Sequence, residues 1–314
     1  MTISATPPLP YSDRTEWIAT PDGHQLSLRV LTSDERQPRA AILCLHGLFS
    51  DGRFFLNGRQ EGPGSVFLEQ GYQVMVGELR GHGRSKWPSS SRPWDWSFDE
   101  YVQQDIPALI NAAAALQEGS GPLFVLAHSL GGYALLAALG HDSTLQAKIS
   151  GVCMLASAIN DYSEMGIRKR LLFQGAAFLS NMVGFFPARL LRMGVSDEPA
   201  NLMKQFLQWA PQGRFASLRD ELDYWQCLSR VTLPVWAGVG AADKFHASAR
   251  RGRRLVDRLA SQDKTFIEIG VKSGFSRDFA HLDVLRGAAA KREVLPQLTA
   301  WMDARTQPQE KKHD

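Results

Sequence analysis

Residues Gly121 to Gly140 read GPLFVLAHSLGGYALLAALG. After the Gly121-Pro122 break, Leu123 to Ala127 is wholly apolar, as expected of a strand buried on both faces. Tyr133 to Leu139 is a helix former's run of Ala and Leu, and Gly140 is expected to stop it. Only Ala127, His128, Ser129, Leu130 and Gly131 lie between strand and helix. So short a turn forces its central residue into strained backbone geometry, tolerable only if its neighbours are small. That is the reason for Ala127 two before Ser129 and Gly131 two after it. The Ser129 hydroxyl is thereby lifted clear of the sheet, and the Leu130 amide falls at a helix N-terminus.

On either side of this stretch, buried strands alternate with helices. Thr15 to Thr20 and Gln25 to Leu31 alternate apolar and polar around Pro21-Asp22-Gly23, a hairpin pattern. Ala40 to Leu45 (AAILCL) reads as the first fully buried strand, followed by a helix near Ser65 to Gln70 and a strand at Gln73 to Val76. A long helix is expected over Phe98 to Leu116, and a strand over Val152 to Ala156. The pattern stops from Ser157 to Arg230, where helical spacing, aromatics and breakers occur without a convincing core strand. It resumes with Pro234 to Gly238, a basic helix over Ala247 to Ala260, a strand at Thr265 to Ile269 and a helix from Ala288 to Asp303. The expected fold is α/β, a doubly wound, mostly parallel sheet. Its core is 1–157 and 231–314, with 158–230 inserted as a helical cap. Residues 1–13 and 307–314 are expected to be mobile ends.

The chain of 314 residues is 44% hydrophobic and 21% charged, ordinary for a globular protein. A formal net charge of +3 is too small to argue for nucleic acid. Neither a secretory leader nor an uncharged apolar run of transmembrane length is visible, so a cytoplasmic location is expected. Cys44, Cys153 and Cys227 read as buried, reduced thiols, and no histidine pair has metal-ligand spacing backed by carboxylates. Neither metal nor cofactor is expected.

The AHSLG turn fits G-x-S-x-G, with Ala127 in the first glycine's place, and in its strand–turn–helix setting resembles the nucleophile elbow of the α/β-hydrolase superfamily. The resemblance covers Ala40 to Ser157 and Pro234 to Asp303, with the cap divergent. It implies an acid and then a histidine downstream of the serine, each just past a strand. Asp243 follows PVWAG, although it could instead cap the next helix. His281 follows TFIEI; His246 is too close to Asp243 to follow another strand, and His313 is in the tail. Asp220, Asp278 and Asp283 are the fallback acids, and Asp283 is better suited to ordering the histidine loop. His46-Gly47-Leu48-Phe49, at the end of AAILCL, matches the family's HG-x-x segment. The implied oxyanion donors are the amides of Leu48 (Phe49 as second choice) and Leu130. His46 reads as a brace and His128 as a packing neighbour of Ser129. Glu78 to Ser85 resembles D-x-R-G-x-G-x-S with Glu for Asp, a structural loop.

The branch it is most similar to is that of lipases and esterases, including monoacylglycerol-lipase and lysophospholipase types. Ser97 to Tyr101 and the His-Leu-Asp at 281–283 fit that branch, and a serine at the elbow argues against haloalkane dehalogenases. The resemblance implies a cofactor-free serine hydrolase of carboxylic esters with an apolar acyl chain, taken up beneath Phe173, Phe178, Phe185, Phe186 and Trp209. A C–C bond hydrolase, an acyltransferase, a depolymerase of a storage polyester and a catalytically silent receptor remain open. Of two basic clusters, Arg250, Arg251, Arg253, Arg254 and Arg258 read as a solvated helix face. Arg168, Lys169 and Arg170 precede the uncharged run Leu171 to Phe186. This run is a cap helix over the site or, alternatively, a segment making weak contact with anionic lipid. The expected partner is a small-molecule or lipid ester.

Overall fold

The computed structural model describes residues 11–57, 61–88, 93–159, 161, 166–211, 213–219 and 221–306. β1 (Tyr11–Ala19) and β2 (Gln25–Ser33) form the expected hairpin, with Gly23 at φ 89° in its turn. It begins earlier than expected. Tyr11, Ser12 and Asp13, read as part of a mobile end, pair with Ser33, Thr32 and Leu31. β3 (Ala40–Leu45), α1 (Pro63–Glu69) and β4 (Tyr72–Gly77) follow. The long helix is three pieces in line: α2 (Phe98–Glu100), a π turn at Tyr101–Asp105, and α3 (Ile106–Leu116). Ser97 and Glu100 form a capping box at its start. Next come β5 (Leu123–His128), α4 (Leu130–His141) and β6 (Gly151–Leu155). The segment before the next core strand holds α5 (Ile167–Val183), β7 (Phe185–Phe186), β8 (Glu198–Pro199), α6 (Ala200–Trp209) and α7 (Tyr224–Leu228). Then come β9 (Val235–Gly240), α8 (Ala249–Asp257), β10 (Lys264–Ile269), α9 (Gly287–Ala289), a π turn at Ala290–Val294 and α10 (Leu295–Asp303).

The sheet order is β1-β2-β4-β3-β5-β6-β9-β10, antiparallel at the β1-β2-β4 edge and parallel elsewhere. Parallel strands need both faces covered. Side chains alternate along a strand, so Ala41, Leu43 and Leu45 of β3 join the core beneath α3 and α4. Ala40, Ile42 and Cys44 join the opposite core, beneath α1 and α10. Asp220 and the tails 1–10 and 307–314, His313 included, lie outside the described residues.

Four local expectations change. Gly140 does not stop α4, which runs on to His141; a Cβ there would lie 1.9 Å from the Cys227 carbonyl oxygen, so the glycine lets α7 approach. The strand expected over Pro234 to Gly238 runs on to Gly240, in register with β10 up to Ile269, which leaves only Ala241-Ala242 before Asp243. β7 and β8 pair as a small antiparallel ribbon outside the main sheet; two-residue strands carry no readable periodicity. The α8 arginines are not simply solvated. Arg251 is buried and bonded to the carbonyls of Phe245 and His246, Arg254 pairs with Asp161 at 3.0 Å, and Arg253 lies over Phe266.

The 78–85 loop is packed as its glycines suggest. Glu78 accepts the amides of Gly52 and Arg84 at 3.2 and 2.7 Å, and burial raises its carboxyl above the usual range. Arg80, fully buried, is held by Asp105 of the π turn and Asp22 of the hairpin turn.

Candidate active site

Ser129 stands between β5 and α4 at φ 53° and ψ −119°, a region that costs a non-glycine residue about 1–3 kcal/mol. The strain is held in place on several sides. Its amide donates to the Leu155 carbonyl at 2.9 Å, and its own carbonyl accepts from Ser157 Oγ at 2.8 Å and from the Gly132 amide at 3.0 Å. A Cβ on Gly131 would come within 2.5 Å of the His46 carbonyl oxygen, so only glycine lets α4 start here.

His281 lies in the loop between β10 and α9. Its Nε2 is 3.1 Å from Ser129 Oγ and its Nδ1 2.5 Å from Asp243 Oδ2. Asp243, just past β9, also accepts the His246 amide at 2.9 Å. Burial alone would raise the Asp243 carboxyl, but the bond and charge of His281, with the Ala247 and His246 amides, outweigh it and hold the carboxyl below its ordinary range. The helix-cap alternative for Asp243 does not hold: Ser248 caps α8. Of the fallback acids, Asp278 bonds the Val271 amide and Asp283 pairs with Arg277.

Two further imidazoles flank His281. His128 lies 4.9 Å from it ring to ring, donates Nε2–H to its carbonyl at 3.0 Å and stacks on Phe54. Burial and the charge of His281 hold His128 down at about 3. His246, 4.5 Å from His281 ring to ring, is held at about 4 by the same two causes. Both are neutral near pH 7, so neither opposes a positive charge on His281. Sequence reasoning passed over His246 as too near Asp243. Its only signal is that spacing, which suits an Asp side chain accepting an amide three residues on.

The His46–Phe49 loop crosses directly over Ser129, and a Cβ on Gly47 would lie 2.9 Å from the Ser129 Cβ. His46 Nε2 accepts the Leu79 amide at 3.2 Å, so its Nδ1 carries the proton and donates to the Gly47 carbonyl at 2.9 Å. Gly47 C=O and Leu48 N–H share one peptide plane, so the brace expected of His46 fixes the direction of the Leu48 amide. Phe49, the second-choice donor, gives its amide to Glu198 Oε1 at 2.8 Å.

With this geometry, the sequence also matches the family described as serine aminopeptidase, S33, over residues 36–270. The chain belongs to that family. This family member is 29% identical to the tear acid lipase-like protein of Mesocricetus auratus over 160 residues, 48% of this chain and 40% of that one. It is 21% identical to triacylglycerol lipase 1 of Arabidopsis thaliana, over 95% of this chain and 89% of that one. Among solved structures, Paleococcus ferrophilus monoacylglycerol lipase superposes with a TM-score of 0.55 at 16% identity, covering 94% of this chain and 99% of that one. The shared architecture is the α/β-hydrolase fold. The chain spans less than half the length of the hamster relative and most of the length of the plant one.

In this S33-family chain, Ser129 and His281 open into a cavity of about 540 Å³. Its walls are mostly apolar: Leu171, Leu172, Phe173, Ala176 and Leu179 of α5, Phe186 of β7, Met203 and Phe206 of α6, and Phe245. Of the five cap aromatics expected there, only Phe173 and Phe186 line it. Trp209 turns away to pack on Phe98 and Phe215, Phe185 stacks on Trp94, and Phe178 is exposed on the outer face of α5. Among the described residues, none of the cavity-lining side chains is a carboxylate, and no group of three or more His, Cys, Asp or Glu has metal-holding geometry. Sequence reasoning also missed Glu198, His82 and Tyr101, a buried cluster behind the loop, because nothing local marks residues so far apart.

Proposed function

We propose that the chain is a serine hydrolase of carboxylic esters with an apolar acyl chain. The observation that carries this is the Ser129–His281–Asp243 hydrogen-bonded line opening into an apolar cavity. Ser129 Oγ attacks the ester carbonyl as His281 Nε2 takes its proton, and Asp243 fixes the imidazole tautomer. The carbonyl oxygen, gaining charge, is held by the Leu48 and Leu130 amides. His281 then protonates the leaving alcohol and activates a water that releases the acid. The lipase and esterase names of the relatives support the ester class. The family's description mentions an aminopeptidase, but the cavity's described walls offer no carboxylate to pair with a free amino terminus, which favours a neutral, greasy substrate.

The segment 158–230, in this reading, is the cap that roofs the acyl site. Its outer face makes weak contact with anionic lipid, a reading supported by the exposed Phe178, Met182 and Leu190 and by the exposed Arg168 and Arg192 of the same segment. A reducing compartment such as the cytoplasm suits three buried cysteines without a disulfide, in a chain whose described residues include no helix long and apolar enough to cross a membrane.

The test is a chain-length series of aryl esters with wild type and Ser129→Ala. Ser129→Ala is expected to lose at least ~10³-fold in kcat. For wild type, kcat/KM is expected to rise about fourfold per added methylene until the cavity is filled, from about 0.8 kcal/mol per buried CH₂. Turnover retained by Ser129→Ala would reject the nucleophile, and a flat series would reject the apolar acyl site.

A further inference from the structure

Phe49, the residue after the candidate oxyanion donor, is gripped from the far side by the β7–β8 region. Its amide donates to Glu198 Oε1 at 2.8 Å. Its carbonyl accepts the Val195 and Ser196 amides at 2.8 and 3.2 Å. A Cβ on Gly194 would stand 2.2 Å from that carbonyl oxygen, so the two backbones touch. Phe49 is itself at φ 58°, a conformation that persists only where its surroundings over-determine it. Glu198 is fully buried and anchored in turn: His82 Nε2 lies 3.0 Å from Oε1 and the Tyr101 hydroxyl 3.2 Å from Oε2. The peptide before the Leu48 Cα is fixed by His46, and the peptide after it by Glu198. With both planes set, the Leu48 N–H can point only one way.

We propose that Glu198 is a positioning residue for the oxyanion hole: its carboxylate, anchored by His82 and Tyr101, fixes the 48–49 peptide and so the Leu48 amide, making the segment 194–198 a structural part of the catalytic machinery. This rests on the hydrolase reading above. It predicts an effect on the transition state rather than on substrate binding. When Ser129 adds to a carbonyl, the Oγ–C bond forms, the π pair moves to oxygen, and the serine proton goes to His281 Nε2. Only that oxyanion depends on the orientation of the Leu48 amide.

The experiment uses the full chain with Glu198→Ala, Glu198→Asp and Glu198→Gln. Three readouts are taken: ester kinetics, inhibition by an alkyl trifluoromethyl ketone that forms the tetrahedral adduct, and inhibition by the matched secondary alcohol that does not. Glu198→Ala and Glu198→Asp, the second keeping charge but shortening reach, are expected to lower kcat about 10²-fold, the low end for loss of an oxyanion donor, with KM little changed. Ketone inhibition should weaken in parallel while alcohol inhibition holds. Glu198→Gln, which keeps an acceptor at full reach, should restore part of the loss. If Glu198→Ala fails to melt cooperatively, the Asp and Gln variants carry the comparison. Wild-type kcat in Glu198→Asp, or equal weakening of ketone and alcohol, would overturn the proposal. If Ser129→Ala abolishes turnover while the Glu198 variants are indifferent, only the clamp falls. Were turnover independent of Ser129, the hydrolase reading would fail and the clamp with it.

Discussion

His128 shows how a single residue's surroundings set its chemistry. It ends β5, beside Ser129, yet its ring is buried between Phe54 and His281 and titrates at about 3. The unfolded chain protonates the same ring near its ordinary 6.5, so between about pH 6.5 and 3 the unfolded state holds the extra proton. Stability therefore falls as pH falls through that window, by at most about 1.36 kcal/mol per pH unit for each such group. His46, held at about 3 by burial and His82, adds to the same slope. Denaturant unfolding of His128→Asn from pH 6 to pH 4 is expected to show a shallower acid slope than wild type, by up to one proton. Parallel slopes would mean that His128 already carries its proton in the folded chain. That His128 sits beside the serine was legible in the sequence; that it is neutral depends on Phe54 and His281, remote in the chain.

At the scale of elements, the long helix is fixed to the sheet through one buried cation. Asp105 faces inward from the π turn and takes both the Arg80 amide and its Nε at 2.8 Å, while Asp22 holds the other side of the guanidinium. Arg80 is thus the joint of hairpin turn, loop and helix. Without Asp105 the Arg80 amide loses its acceptor and the buried guanidinium keeps only the half-exposed Asp22 as counter-charge. Asp105→Ala is therefore expected to cost about 3 kcal/mol in urea unfolding, the low end for breaking a buried pair. A loss under about 1 kcal/mol, the scale of surface pairs, would show that water reaches Arg80. The sequence marks Arg80 as the arginine of a packed loop, since it lies between a buried strand and two glycines. Its partners are invisible there, because an Asp in a helix and an Asp in a turn look alike until the fold brings them together. Gly140 fails in the opposite direction: read as a helix stop by local rules, it is fixed by a contact with α7, 87 residues on in the neighbouring Cys227 carbonyl.

For the whole molecule, the described part of the 158–230 segment leaves several large apolar side chains open. Leu190, Met182, Phe178 and Ile167 are each about 67–82% exposed on one segment, and none of them lines the cavity. Single exposed apolar residues are ordinary, whereas several on one segment, with the exposed Arg168 and Arg192 adjoining them in the chain, are a candidate for lipid contact. Sedimentation with anionic vesicles at low salt is expected to carry the wild type down, with Phe178→Ser plus Leu190→Ser releasing it and turnover of a soluble aryl ester preserved. Vesicles that leave the wild type in the supernatant would remove the interfacial reading.

The sequence by itself determined the α/β alternation and the sharp strand–turn–helix at Ser129, and it pointed to Asp243 and His281, of which His281 lies within hydrogen-bond reach of both Ser129 and Asp243. These follow from local rules: periodicity marks strands and helices, and a tight turn demands small neighbours. Only the tertiary structure decided that Glu198 grips Phe49, that His246 stands beside His281, and that Phe173 and Phe186 rather than Trp209 face the cavity. The first and third are set by how the 158–230 segment lies on the sheet, and the second by the loops after β9 and β10 meeting at one sheet edge. The segment's short elements have no periodicity that points to their neighbours, and contacts across a hundred residues leave no trace in local composition.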